Sequence, residues 1–168
     1  MGTHPPPKAL LHFLRPFRVP VRKLALSMRR LVLSEMEPCV ESIYDAYNAL
    51  ALGYGPTGRM NDGICHIAIY ARHVNLGFNH GAQLEDPRGI LQGSGKWIRH
   101  ITVREAGSLN PRVIRDYLRR ALQQAASRPA AALPPKESVS IIKGISPIKR
   151  RPGKTATPGK KQRRARGR

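Results

Sequence analysis

Two short runs of alternating apolar residues constrain the fold more than any other part of the sequence. In residues 65–70, CHIAIY, every second side chain is apolar, and the same alternation recurs in residues 74–78, VNLGF, after a short link. A period of two is typical of strands that cover a core with one face. The two runs therefore predict an antiparallel hairpin, with Phe78 on the core face and Asn75 and Gly77 on the other.

A helix is predicted on either side of these strands. Residues 21–36 carry apolar side chains at helical spacing, and Pro38 ends that pattern. Further along, Asn110 suits an N-cap and Pro111 suits the first position of a second amphipathic helix. A third strand is predicted over residues 97–104. The predicted fold is a compact α+β domain whose antiparallel sheet is flanked by N- and C-terminal helices.

Residues 40–52 fit two different elements. Val40, Ile43 and Tyr44 recur at helical spacing, but the segment is also rich in residues that favour strands. The glycines and the proline at positions 53–58 predict a turn after it. On the residue pattern alone, helix and strand both stay open here.

The two ends of the chain differ in composition from the middle. Residues 1–34 contain no acidic residue, and residues 129–168 contain six prolines among many Lys, Arg and Gly. Such a composition buries too little apolar surface to offset the entropy of the chain. The predicted organisation is a disordered extension over residues 1–19, a folded domain over 20–128 and a disordered basic tail over 129–168.

The net charge of +20 predicts a polyanionic partner. Residues 129–168 carry 12 Lys or Arg and one acidic residue, whereas residues 1–128 carry 18 Lys or Arg and nine acidic residues. A flexible segment of this charge density attracts nucleic acid, or another polyanion, by releasing counterions. No reading helix or base-stacking motif accompanies it, so non-specific contact is predicted. The tail residues predicted to make that contact are Lys149, Arg150, Arg151, Lys154, Lys160, Lys161, Arg163, Arg164, Arg166 and Arg168.

Cysteine use and hydropathy favour a cytoplasmic protein. Cys39 and Cys65 form neither a disulfide framework nor a zinc motif, and Cys65 lies in an apolar run that suits a buried thiol. No stretch of the sequence approaches the roughly 20 apolar residues that cross a bilayer. A transmembrane segment is therefore not predicted.

The glycine-rich segment over residues 75–100 invites comparison with a nucleotide-binding P-loop. That motif needs a glycine where position 90 is Ile, and a Ser or Thr after the lysine where position 97 is Trp. Both departures remove contacts to phosphate and magnesium. The sequence therefore excludes a P-loop ATPase.

The same segment is nevertheless the main candidate for a binding site. Backbone N–H groups of residues 93–95, together with Lys96 and Arg99, would suit an anion. A tight glycine turn that leads into a strand explains the same residues without a ligand. The residues predicted to bind an anionic ligand are Asn75, Phe78, His80, Asp86, Lys96, Arg99 and His100.

No cofactor, metal ion or catalytic residue is predicted. The histidines at positions 66, 73, 80 and 100 match no zinc-ligand spacing, so separate roles are favoured over a shared metal site. Glu85 and Asp86 are adjacent, which directs their side chains apart rather than toward one another as an acid–base pair.

Residues 73–100, HVNLGFNHGAQLEDPRGILQGSGKWIRH, resemble the YdhG-like (DUF1801) family of bacterial domains of unknown function. The family pattern has a strand ending in LGF, then G-A-x-L, D-P, L-x-G-x-G-K and R-H, and the resemblance extends weakly over residues 20–126. It implies a compact α+β domain with antiparallel strands between helices. It also favours strands over a helix for residues 41–52.

Three functions remain as hypotheses. The preferred one is a non-enzymatic module that binds a small anionic ligand or a partner through the glycine-rich segment. The second is a nucleic-acid-associated accessory protein that acts through its basic tail. The third is an enzyme of unrecognised type, for which the sequence supplies no set of residues.

Overall fold

A six-stranded sheet carries three helices on one of its faces in the computed structural model, which describes residues 4–108, 110–128 and 131–149. The α+β class predicted from the sequence is confirmed. The helices are α1 (Lys8–Leu14), α2 (Val19–Met36) and α3 (Pro111–Ala126). The strands are β1 (Val40–Asp45), β2 (Leu50–Gly55), β3 (Cys65–Ile69), β4 (Val74–Phe78), β5 (Arg99–Val103) and β6 (Val139–Ile145).

The sheet is mixed rather than purely antiparallel. Its spatial order is β5-β4-β3-β2-β1-β6, and each neighbouring pair from β1 to β5 is antiparallel. Strand β6 lies parallel to β1, so the prediction of an all-antiparallel sheet is wrong at that edge. Residues 40–52 contribute to β1 and β2, which settles their ambiguity in favour of strands.

The clearest sequence signals correspond to the elements that form. The hairpin β3–β4 pairs Cys65 with Phe78 and Ile69 with Val74, as the alternation predicts. Helix α3 begins after Asn110, whose Oδ1 accepts hydrogen bonds from the backbone of the first turn. These side-chain bonds satisfy N–H groups that have no partner within a helix.

The predicted boundaries of the folded domain are wrong at both ends. Helix α1 lies within the expected extension, and it buries Leu10 and Leu14 in the same core as the strands. Strand β6 lies within the expected tail, where four Val or Ile residues in seven favour a strand despite the surrounding prolines. Of the predicted nucleic-acid contacts, Lys149 instead forms an ion pair with Asp45, and the other nine lie outside the described residues.

A buried ion pair connects the N-terminal segment, α2 and the sheet. Arg29 and Glu41 are almost fully buried, and Arg29 donates two hydrogen bonds of 2.8 and 2.9 Å to the Glu41 carboxylate. Tyr54 and Ser140 donate to the same carboxylate, while the carbonyl of His4 accepts from Arg29. Burial, with Glu41 beside it, holds the pKa of Tyr54 well above its ordinary value. The network satisfies both charges, as burial requires.

Candidate functional site

The strands present one face to the helices and a second, half-exposed face away from them. The alternation buries Leu52, Ile67, Leu76 and Ile101 against the helices and turns their neighbours outward. We call the outward set the open face. It consists of Ser42, Tyr44, Ala51, Gly53, His66, Ala68, Asn75, Gly77, His100 and Thr102.

Electrostatically, the open face favours anions. Glu41 and Asp45 are the carboxylates of the six described strands, and both lie on the helix side of β1. The Lys143 ammonium lies near Gly58 and Val40 on the outer side of the sheet. An added Cβ on Gly58 would be 3.6 Å from Lys143 Nζ and 3.9 Å from Val40 Cγ1. An anion at this face therefore meets no opposing carboxylate from the strands, and Lys143 adds a cation at the corner near β1 and β6.

His66 occupies the middle of the open face with a fixed orientation. Its Nδ1 lies 2.8 Å from Asn79 Oδ1, and its ring covers Gly77, where an added Cβ would lie 2.2 Å from Nε2. Burial lowers the pKa of His66, with the hydrogen bond to Asn79 acting the opposite way and His100 adding to the decrease. In the neutral ring Nδ1 donates to Asn79, which leaves Nε2 as an acceptor.

Asn75 carries the unexplained polar group of this face. Its Oδ1 is buried and accepts no hydrogen bond from any described residue. Its partners across the strands are Ala68 and Thr102, and the register places His66 and His100 on the adjacent diagonals. An enclosed acceptor without a donor costs free energy in the folded state.

The seven residues predicted to bind an anion do not converge on one site. Asn75 and His100 both lie on the open face, as one site requires. Phe78 is only 1% exposed and packs on Tyr117 in the core, so its assignment to the ligand is wrong. The cause is strand geometry, since residues three apart on a strand face opposite sides.

Asp86 organises the loop that precedes β5. Its two oxygens accept hydrogen bonds from Tyr117 Oη, Ile90 N and Leu91 N at 2.5–3.0 Å. Burial acts to raise the pKa of Asp86, but these hydrogen bonds outweigh it and hold the pKa below its ordinary value. Its carboxylate is thus occupied by the loop and by α3, rather than directed to a ligand as predicted.

The other three predicted residues form a separate group in the glycine-rich loop. Lys96 Nζ lies 5.1 Å from the ring centroid of Trp97, and the His80 ring meets Trp97 edge-on at 5.7 Å. Arg99 Nη1 donates to the carbonyl oxygens of Gly95 and Ile98 at 2.5 and 2.8 Å. Arg99 thus stabilises the turn of the glycine-rich loop through hydrogen bonds to the loop's own carbonyl groups.

His66 is one of the open-face residues that the prediction omits. The alternation in residues 65–70 already turns it outward, but only the strand order places it beside Gly77 and opposite His100. Histidines 66, 73 and 100 share this side of the sheet. Within residues 4–108, 110–128 and 131–149, no three His, Cys, Asp or Glu side chains group closely enough to hold a metal ion.

Two cavities of about 410 Å³ lie away from the open-face centre. One lies between the ends of α2 and α3 and is lined by Met36, Cys39 and Leu122. The other lies beyond the edge of β5, between Ile90 and Val113. Burial, with Glu41 nearby, raises the pKa of Cys39 to about 12, so this thiol is a poor nucleophile at neutral pH.

Comparison with known proteins adds no assignment. No family model, curated protein or solved structure matches the chain. In the part of the chain that the structure describes, none of the helices combines the length and apolar character needed to cross a membrane. The site is therefore interpreted from its own residues.

Proposed function

We propose that the chain is a non-enzymatic binding module whose ligand occupies the open face. One observation carries the proposal: His66, Asn75 and His100 lie on three successive strands of one partly exposed face, with Asn75 on the diagonals of the two histidines. The enclosed Oδ1 of Asn75 accepts no hydrogen bond within the described residues, which costs about 1–3 kcal/mol, so an asparagine at this position fits a role in binding better than a role in folding. The ligand class is anionic, because the described strands place no carboxylate on this side.

The chemistry of the face supports binding rather than turnover. His66 is held neutral between Asn79 and Gly77, which makes it a hydrogen-bonding surface. Both cysteines are buried on the other side of the sheet, and burial raises the pKa of each thiol. Catalysis by a cysteine nucleophile needs a thiolate, which burial disfavours at both positions.

We further propose that the YdhG-like motif is a signature of the fold rather than of the ligand. Leu76 and Phe78 fill the core, and Asp86 closes the loop through four partners. Gly81 lies against the backbone of Arg99, where an added Cβ would be 2.7 Å from the nitrogen. Such contacts tie the motif to the geometry of β4 and β5.

The test compares ligand-induced melting shifts across two sites. The full chain is screened against inorganic phosphate, nucleotides and small carboxylates, with Asn75→Leu and His100→Ala as open-face variants. The Lys96→Ala variant reports on the glycine-rich loop. We expect a ligand that raises Tm in the wild type and in Lys96→Ala but not in the open-face variants. The reverse pattern would place the site in the loop and refute the proposal.

A further inference from the structure

The open face carries aromatic rings around a flat floor of small residues. Tyr44 lies at one side on β1, and His66 and His100 lie toward the other on β3 and β5. Between Tyr44 and His66, the floor is formed by Ala51, Gly53 and Ala68. Tyr44, His66 and His100 are each partly exposed beside this floor.

A stacked pair extends this surface at one end of the hairpin. Tyr70 directly follows β3 and His73 directly precedes β4, so the strand alternation turns both toward the open-face side. Their ring centroids are 4.8 Å apart, with 22° between the ring planes. Burial lowers the pKa of His73, with Arg104 and His100 adding to the decrease. A neutral imidazole of this kind stacks as an aromatic ring.

The dimensions suit a polymer better than a single small molecule. Strands are spaced about 4.8 Å apart, so Tyr44 on β1 and His100 on β5 are separated by roughly 19 Å across the sheet. The two described cavities that would enclose a small ligand lie elsewhere. A surface this wide and this shallow accommodates several successive planar groups.

We propose, on the premise that the open face is the binding surface, that its ligand is single-stranded nucleic acid with bases stacked on these rings. Every base has an apolar face that stacks on aromatic side chains, and a phosphate backbone is drawn to a face without strand carboxylates. Duplexes are excluded because their bases are already stacked on one another.

Fluorescence anisotropy with the full chain tests the proposal. The probes are labelled oligoadenylate and oligouridylate of about eight nucleotides, in RNA and DNA forms, and a duplex of the same length. Tyr44→Ala removes a stacking ring, and Tyr47→Ala is its matched control, because Tyr47 is 51% exposed in the turn after β1. We expect Tyr44→Ala to weaken single-strand binding about tenfold and Tyr47→Ala to leave it unchanged.

His100→Ala supplies the second arm by removing the ring on β5, and the melting temperature of each variant verifies its folding. We expect it, like Tyr44→Ala, to weaken the binding of both single strands. Equal binding of the duplex and the single strands, or equal effects of Tyr44→Ala and Tyr47→Ala, would overturn the inference. If no oligonucleotide depends on Tyr44 but a small anion still shifts Tm through Asn75, only the identity of the ligand is wrong. If neither depends on the open face, the proposed function fails as well.

Discussion

Replacing Asn75 by leucine should stabilise the protein, contrary to the usual effect of a substitution. Leucine has the same branching as asparagine, but it has no acceptor to leave unpaired on the open face. An unsatisfied buried polar group costs about 1–3 kcal/mol, and an apolar group of the same shape removes that cost. We therefore expect the free energy of unfolding to rise by about 1–3 kcal/mol.

Asn79→Leu is the matched control for this prediction. The same chemical change there removes the 2.8 Å hydrogen bond to His66, so it should lower stability rather than raise it. Urea unfolding of both variants gives the two free energies, provided that the slope with denaturant stays constant. In a thermal scan, each kcal/mol corresponds to roughly 2–4 °C in Tm for a chain of this size.

The outcome is decisive for the argument about binding. If Asn75→Leu destabilises the protein as much as Asn79→Leu does, the Asn75 amide is satisfied in the folded state, and its role is structural. If Asn75→Leu is more stable and also loses its ligand, the asparagine is kept at a cost to folding. Such a trade between stability and activity is typical of functional residues.

Three further predictions concern the core and the pH dependence. Arg29→Met should cost about 3–5 kcal/mol in urea unfolding, because it leaves the Glu41 carboxylate buried without its cation, whereas adding Glu41→Leu should recover most of that loss. Gly77→Ala should displace the His66 ring, which an added Cβ would approach to 2.2 Å, and should shift the imidazole NMR signals without removing the sheet. The lowered pKa of His66 means that the unfolded chain binds a proton at higher pH than the folded chain, so stability should fall as the pH drops from about 6.5 and level off below the folded pKa. The slope should be smaller in His66→Gln, and an unchanged slope would show that another group titrates.

Local patterns were sufficient for the central elements of the fold. Helix α3 has its own N-cap and proline, and the hairpin β3–β4 has its own alternation, so each is specified by neighbours in sequence. Helix α1 and strand β6 were missed for the opposite reason. They are short, lie among prolines, and are held by distant partners such as Arg29, which contacts the carbonyl of His4.

The open face was only half predictable from the sequence. Asn75 and His100 were identified because they lie in a segment of unusual composition. His66 was not joined to them, because the pairing of β3 with β4 and of β4 with β5 decides that contact. Asp86 was misassigned because its hydrogen bonds to α3 span 31 residues, which no local spacing reveals.

The parallel pairing of β6 with β1 has a consequence for how the chain folds during synthesis. Strands β1 to β4 each pair with the next strand along the chain, so these five strands can associate as they emerge from the ribosome. Ser140, in contrast, reaches Glu41 across 99 residues. Until that point is synthesised, the outer edge of β1 has unpaired backbone groups, which other chains can engage. When β6 pairs with β1, it covers this edge and removes a site at which the nascent protein can aggregate.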